Sequence, residues 1–212
     1  MKKYMLLVAL FIGAAITATA QHTQSAADSE DKGFWNNTFV SAGIGAQMMF
    51  NDHDKQLRFG DRLSPQLDVA VGKWFKPGMG VRLMYSGWSL NGATQDPKLG
   101  NGKPISGKPW HGYWLYEHEV RYVNLHADIM FNLHNWIKGY DAARVWSCCP
   151  YAGLGWIRVG EPATSNNMSA NVGVHNAFRI TDALDINLDL RATITHDDFD
   201  SESGGRNADG IL

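Results

Sequence analysis

The chain has 212 residues, 19 Lys and Arg against 21 Asp and Glu, and a formal net charge of −2; with no basic cluster it gives no ground for a nucleic-acid partner. Glycine (22 residues) and aromatics (11%) are abundant, yet beyond the first 20 residues no window holds the 18 or more apolar residues of a spanning helix. The only cysteines, Cys148 and Cys149, are neighbours whose side chains leave a strand on opposite faces, which excludes a disulfide scaffold. Both read as small half-buried hydrophobes, with a strained vicinal redox pair as the remote alternative.

At the N-terminus, Met1-Lys2-Lys3 is a short basic start and Met5 to Ile16 a continuous apolar stretch. Small residues at Ala18 and Ala20 then precede Gln21. This pattern predicts a signal peptide over residues 1–20, hence export, and it is too short to span a membrane as a helix. No Cys follows the apolar stretch, which argues against a lipid-anchored N-terminus. Removing residues 1–20 takes Lys2 and Lys3 but no acid, and moves the net charge from −2 to −4. Residues 21–33 are polar and patternless, and are expected to form a flexible arm before a barrel domain at 34–212.

From there one theme repeats: stretches of alternating apolar and polar residues, the period of a β-strand. Thr38 to Phe50 sets Val40, Ala42, Ile44, Ala46, Met48 and Phe50 against Ser41, Gly43, Gly45 and Gln47. Pro65 to Phe75 sets Leu67, Val69 and Val71 against Gln66, Asp68, Ala70 and Gly72. Met79 to Leu90 sets Val81, Leu83 and Tyr85 against Gly80, Arg82, Met84 and Ser86. In the fourth stretch Val123, Leu125, Ala127, Ile129 and Phe131 oppose Tyr122, Asn124, His126 and Asp128. The fifth, Trp146 to Val159, is less regular. In the sixth, Ala170, Val172, Val174 and Phe178 oppose Ser169, Asn171, Gly173, His175 and Arg179. The seventh, from Leu184 to Thr195, is the most regular, with Asp185, Asn187, Asp189, Arg191 and Thr193 on its polar face.

The connections sort by length. Lys76-Pro77-Gly78 and Thr181-Asp182-Ala183 are tight, residues 134–144 are intermediate, and 51–64, 91–115, 160–167 and the tail after 196 are longer or more polar. Short turns at one end and long loops at the other are the layout of an outer-membrane barrel. A soluble sandwich or lipocalin-like barrel would show the same alternation with the faces reversed. Three features favour the membrane. The polar face is rich in Gly, Ser and Ala rather than Lys and Glu. The strands run about 9–13 residues, near a tilted bilayer crossing, where globular strands average about five or six. Aromatics gather at strand ends, with Trp35, Trp74, Trp136 and Trp146 at the short-turn end and Trp88 and Trp114 at the long-loop end, as interfacial girdles would.

On this reading Asp68, Arg82, Asp128, Arg179, Asp185, Asp189 and Arg191 face the lumen. In a barrel of about eight strands the interior is just filled by side chains, so these charges must pair or meet trapped water. A salt-bridged plug is the expectation, and a narrow ion path the alternative. His118 and His126 share that face but lie about 26 Å apart at ~3.3 Å per residue, too far to share a metal ion. They and His175 read as hydrogen-bonded interior or rim residues. There is no G-x-S-x-G segment and no distinct nucleophile, base and acid set, so no catalytic residue, metal or cofactor is expected. Gly43-Ile44-Gly45 and Gly153-Leu154-Gly155 are strand glycines and do not form a phosphate loop.

Several segments resemble the OmpA-type eight-stranded outer-membrane barrels, in particular their Bacteroidetes branch. They are Val123 to Leu133 (VNLHADIMFNL), Gly139-Tyr140, Arg144-Val145-Trp146, Pro150 to Gly155 (PYAGLG) and Phe178 to Leu184 (FRITDAL). The similarity spans about residues 34–195, and Cys148-Cys149 stand where bulkier apolar residues would be usual. The resemblance implies an all-β, antiparallel up-and-down transmembrane β-barrel with a mainly structural, envelope-integrity role. Its partners would be outer-membrane lipid and, through a periplasmic domain following the barrel, peptidoglycan. No such domain is seen here. Only seven strands are visible where an even number is needed. Residues 197–212 read as a fourth long loop entering an eighth strand, which suggests a C-terminally incomplete barrel. Two other functions stay open: an adhesin or receptor acting through loops 51–64 and 91–115, and a small passive pore.

Overall fold

A computed structural model of the chain describes residues 14–21, 35–50, 57–106, 109, 112, 114–141, 143–160 and 164–195. Its strands are β1 (Ala14–Gln21), β2 (Thr38–Met48), β3 (Leu63–Lys76), β4 (Met79–Thr94), β5 (Tyr116–Phe131), β6 (Trp146–Val159), β7 (Ser165–Arg179) and β8 (Leu184–Thr195). Two short helices, α1 (Phe59–Arg62) and α2 (Leu133–Lys138), sit in the connections β2–β3 and β5–β6. Each strand is antiparallel to the next, and β1 also pairs with β8, so the sheet closes as an up-and-down barrel.

Strands β2 to β8 are the seven stretches anticipated from alternation. Differences fall at the long-loop end. β4 and β5 extend the predicted stretches to Thr94 and Tyr116 in one continuous ladder, so the connection is 95–115 rather than 91–115. Within it the backbone folds back, Asn101 N–H donating to the Glu117 carbonyl and Ile105 N–H to the Leu115 carbonyl. Met48, expected on the apolar face with Val40, is instead buried beside Met49, because the alternation of β2 ends at Gln47.

The eighth strand comes from an unexpected place. The start of a strand anticipated beyond residue 196 lies outside the described residues, as does the arm at 22–33. The seam is closed by Ala14–Gln21, of which all but Gln21 fall inside the segment 1–20 that reads as a signal peptide. This strand runs antiparallel to β2 from Ala14↔Ala46 to Gln21↔Phe39, and to β8 from Ala15↔Asp189 to Ala20↔Leu184.

Orientation of the faces separates the two readings of the alternation. Val69, Val81, Leu83, Ile129, Leu154 and Val172 point outward and are exposed, whereas Asp68, Arg82, Asn124, Asp128, Asp189 and Arg191 are buried inside. A soluble barrel would have the reverse. α2 belongs to the short-turn end. Asn132 caps it by accepting the Asn135 N–H, and Trp136 stacks on Phe131 at 6.0 Å between ring centroids.

The seam makes a direct prediction. In a chain of residues 21–212, Val40–Ala46 of β2 and Leu184–Asp189 of β8 lose the partner that β1 supplies in residues 1–212. Refolded into detergent micelles, the shorter chain is expected to lose the compact, heat-modifiable form on gels. Its β2 and β8 amides should exchange faster than those of β5. Equal protection in both chains would show that β1 does not hold the seam.

Candidate functional site

The inward faces of β3, β4, β5 and β8 carry the charged residues; the register sets Arg82 beside Asp128 on β4–β5 and Asp68 beside Ser86 on β3–β4. Arg82 is the hub. Its Nε and Nη2 donate to Asp128 Oδ2 at 3.0 and 2.7 Å, and its Nη1 donates to Asp189 Oδ2 at 3.0 Å. The same guanidinium lies over the Tyr151 ring, 4.3 Å from its centroid, while the Tyr151 hydroxyl donates to Asp189 Oδ1. Arg191 Nη2 donates to both oxygens of Asp68 at 2.9 Å, and Gln66 adds a further donor to Asp68. Two cations thus face three carboxylates. His126 and His175 bring Nδ1 to 2.7 Å from Asp128 and 3.3 Å from Asp189, which fixes Nδ1 as the protonated nitrogen in each.

Glycine makes room for this. A Cβ on Gly153 would run into the Ala127 carbonyl and the Asp128 carboxylate, and one on Gly173 into the Leu190 carbonyl and the Tyr151 hydroxyl. The glycines of the polar face let bulky charged groups from neighbouring strands fill a narrow interior.

Apolar residues close both ends. Towards the long loops, Met49, Leu90, Val120, Tyr122, Ile157 and Val159 form a buried cluster, with Leu99 packed against it. Towards the short turns, Phe39, Trp74, Met130, Cys149 and Tyr151 form another, with Phe39 and Trp74 rings 6.1 Å apart. Both cysteines are free thiols.

Of the seven charged residues anticipated for the lumen, Asp68, Arg82, Asp128, Asp189 and Arg191 meet in this network. Arg179 and Asp185 lie opposite each other across β7–β8 at the short-turn mouth, beside a small cavity that His175 and Arg144 also line. Alternation puts Gln66, Ser86 and Tyr151 on the polar face but does not single them out as partners of the charges. Those residues share the inward parity of the charges, which is the signal that would have found them.

Five of the six anticipated interfacial tryptophans are exposed: Trp35, Trp88, Trp114, Trp136 and Trp146. Trp74 requires correction. It shares the parity of Gln66, Asp68 and Gly72, and lies inside the barrel at 8% exposure. Trp88 does the opposite. Its parity points inward, but the backbone turns it out to 56% exposure, while Tyr122 opposite it stays inside.

Ser86, His126 and Asp128 are disposed like a nucleophile, base and acid, with Ser86 Oγ 3.5 Å from His126 Nε2. Ser86 Oγ also accepts from Arg191 Nη1 at 2.9 Å, and that cation lies 3.3 Å from the same imidazole nitrogen. All three side chains are buried. The arrangement is that of a packed polar core, and among the described residues no cluster suits a metal ion.

The comparisons bear on where such a barrel resides. The chain is 30% identical over 210 residues to Outer membrane protein 40 of Porphyromonas gingivalis, a match covering 91% of this chain and 50% of the relative. It is 28% identical over 165 residues to Outer membrane protein 41 of the same organism, covering 74% of this chain and 37% of the relative. This chain is an outer-membrane β-barrel. It spans half or less of the length of these relatives. No family model and no solved structure matches it.

The network should be intolerant of losing its hub. Arg82→Met leaves Asp128 and Asp189 buried without their main counter-cation, and should cost about 3–5 kcal/mol. Urea unfolding of the micelle-embedded barrel is the check, and a change below about 1 kcal/mol would mean that the buried charges do not depend on Arg82.

His118 lies on the inner face of β5 beyond the apolar belt, where Glu117, Glu119 and Arg121 already point outward. It is 3% exposed with Nε2 unpartnered, and burial lowers its pKa from 6.5 to about 4. The unfolded chain therefore takes up a proton on this residue that the folded one refuses, so stability is complete above pH 6.5 and declines as pH falls towards 4. Hydrogen-exchange protection at the outer ends of β4 and β5, taken relative to the intrinsic amide rate at each pH, should fall between pH 7 and 5, and His118→Leu should flatten that dependence.

Proposed function

We propose that this outer-membrane β-barrel is a non-enzymatic structural element of the cell envelope, of the OmpA type, serving as the membrane anchor of a peptidoglycan-linked protein. One observation carries the reading: the buried charges of the interior pair with one another, and an apolar cluster is buried on each side of them. An interior occupied by mutually paired side chains supports a structural body over a conduit. The wall-linking part draws on the OmpA-type resemblance.

The envelope role is tested by gene deletion. Loss of the protein should increase outer-membrane blebbing and detergent sensitivity, and re-expression should restore both. The refolded barrel in planar bilayers should give no discrete conductance steps. An intact envelope in the deletion strain would overturn the structural role, and reproducible single-channel steps would replace it with a pore.

A further inference from the structure

The outward face of β5 and β6 changes character abruptly at its long-loop end. Along β5 the outward residues run Ile129, Ala127, Leu125, Val123 and then Arg121; along β6 they run Ala152, Leu154, Trp156 and then Arg158. They alternate with inward-facing residues that are buried on β5 and buried or half-buried on β6, and both arginines are exposed. Arg158 pairs with Val123, and the Gly160 N–H donates to the Arg121 carbonyl, so the two guanidiniums are diagonal neighbours on one face. Diagonal neighbours have Cα atoms about 7–8 Å apart, within reach of one anionic group for side chains of this length. Among the described residues neither arginine makes an ion pair. Glu119 and Glu117 stand farther out on the same face of β5, so the cations are the first charges met above the belt. Trp88 and Trp156, both about half exposed, flank them.

Directly below lies a shallow, almost wholly apolar hollow of about 660 Å³. Small residues make it: Ala127 on β5, Ala152 on β6 and Ala170 on β7, between the taller side chains of Ile129, Leu154 and Val172. Arg158 is four residues above Leu154, or about 13 Å at ~3.3 Å per residue.

A phosphate clamp at the interface over a recess in the hydrocarbon layer fits a molecule with an anionic head and an acyl chain. We propose that Arg121 and Arg158 hold a phosphate of an outer-leaflet glycolipid, whose acyl chain lies in the hollow between Leu154, Ile129 and Val172. The long-loop end of an outer-membrane barrel faces the outer leaflet, which fixes the source of the phosphate. Guanidinium is the appropriate cation because its planar donors match phosphate oxygens in pairs. The site is continuous with the lipid-facing belt, and it rests on outer-membrane residence, independent of wall linkage.

The test uses the barrel folded in neutral detergent, titrated with bisphosphorylated lipid A, dephosphorylated lipid A and inorganic phosphate. The phosphorylated glycolipid should bind, and Arg121→Gln/Arg158→Gln should weaken it at least about tenfold, as loss of charge-assisted bonds implies. Arg121→Lys/Arg158→Lys, which keeps both charges but loses the paired donors, should bind between the wild type and the Gln pair, which separates lost charge from lost folding. Ala152→Trp, which fills the hollow and leaves both cations in place, should also weaken binding. Undiminished binding by the Gln pair, or equal affinity for the dephosphorylated lipid, would overturn the clamp. Full competition by inorganic phosphate would assign the cations to a free anion instead. Unchanged affinity in Ala152→Trp would remove the acyl-chain site.

Discussion

Everything in this molecule follows from one constraint: in hydrocarbon, each backbone N–H and C=O must find its partner within the protein. Strands can meet it only by closing on themselves, and closure by eight strands leaves an interior barely wide enough for side chains. The interior then has to be filled, and the sequence fills it with groups that need one another. Arg82 and Arg191 are costly alone and so are Asp68, Asp128 and Asp189; brought together across the lumen, each carboxylate is paired with a guanidinium. The apolar clusters at either end keep water from competing for those pairs. The outward face is left free to be as apolar as the bilayer demands.

The same constraint explains the seam. β2 and β8 present complementary edges that must be paired, and both call for a strand running from the long-loop end to the short-turn end. Ala14–Gln21 supplies one in that direction. Its residues are also those that an export signal would remove, so the seam and the signal make competing claims on one segment. The geometry specifies what any other occupant must be, a strand antiparallel to both edges, and it does so from backbone alone.

Much of this was legible in the sequence, because a period of two is a strong signal over strands of this length. The seven strands β2 to β8, the segregation of short turns from long loops, and five of the network's charged residues all follow from alternation and spacing. What escaped was whatever alternation does not encode. Trp74 is an aromatic at a strand end, which suggests an interface, but its inward parity decides its place; Trp88 leaves its parity through a local backbone rotation that no pattern announces. Tyr151 and Ser86 were on the correct face, but their roles depend on which strands become neighbours across the lumen. The identity of the closing strand depended on edges formed about 140 residues or more apart in the chain.

The network also bears on how the barrel assembles. Arg82 reaches Asp189 across 107 residues of chain, and Arg191 reaches Asp68 across 123. These contacts are among the most non-local in the molecule, and loop-closure entropy must be met before they can form. Local hairpins such as β3–β4 are available early, yet none of them brings together the full set of charges. Until the ring is nearly complete, two guanidiniums and three carboxylates remain in contact with water and resist entering the bilayer. Pairing of the lumen charges is therefore a late event, coupled to closure, and commits the barrel to the membrane only once its topology is correct.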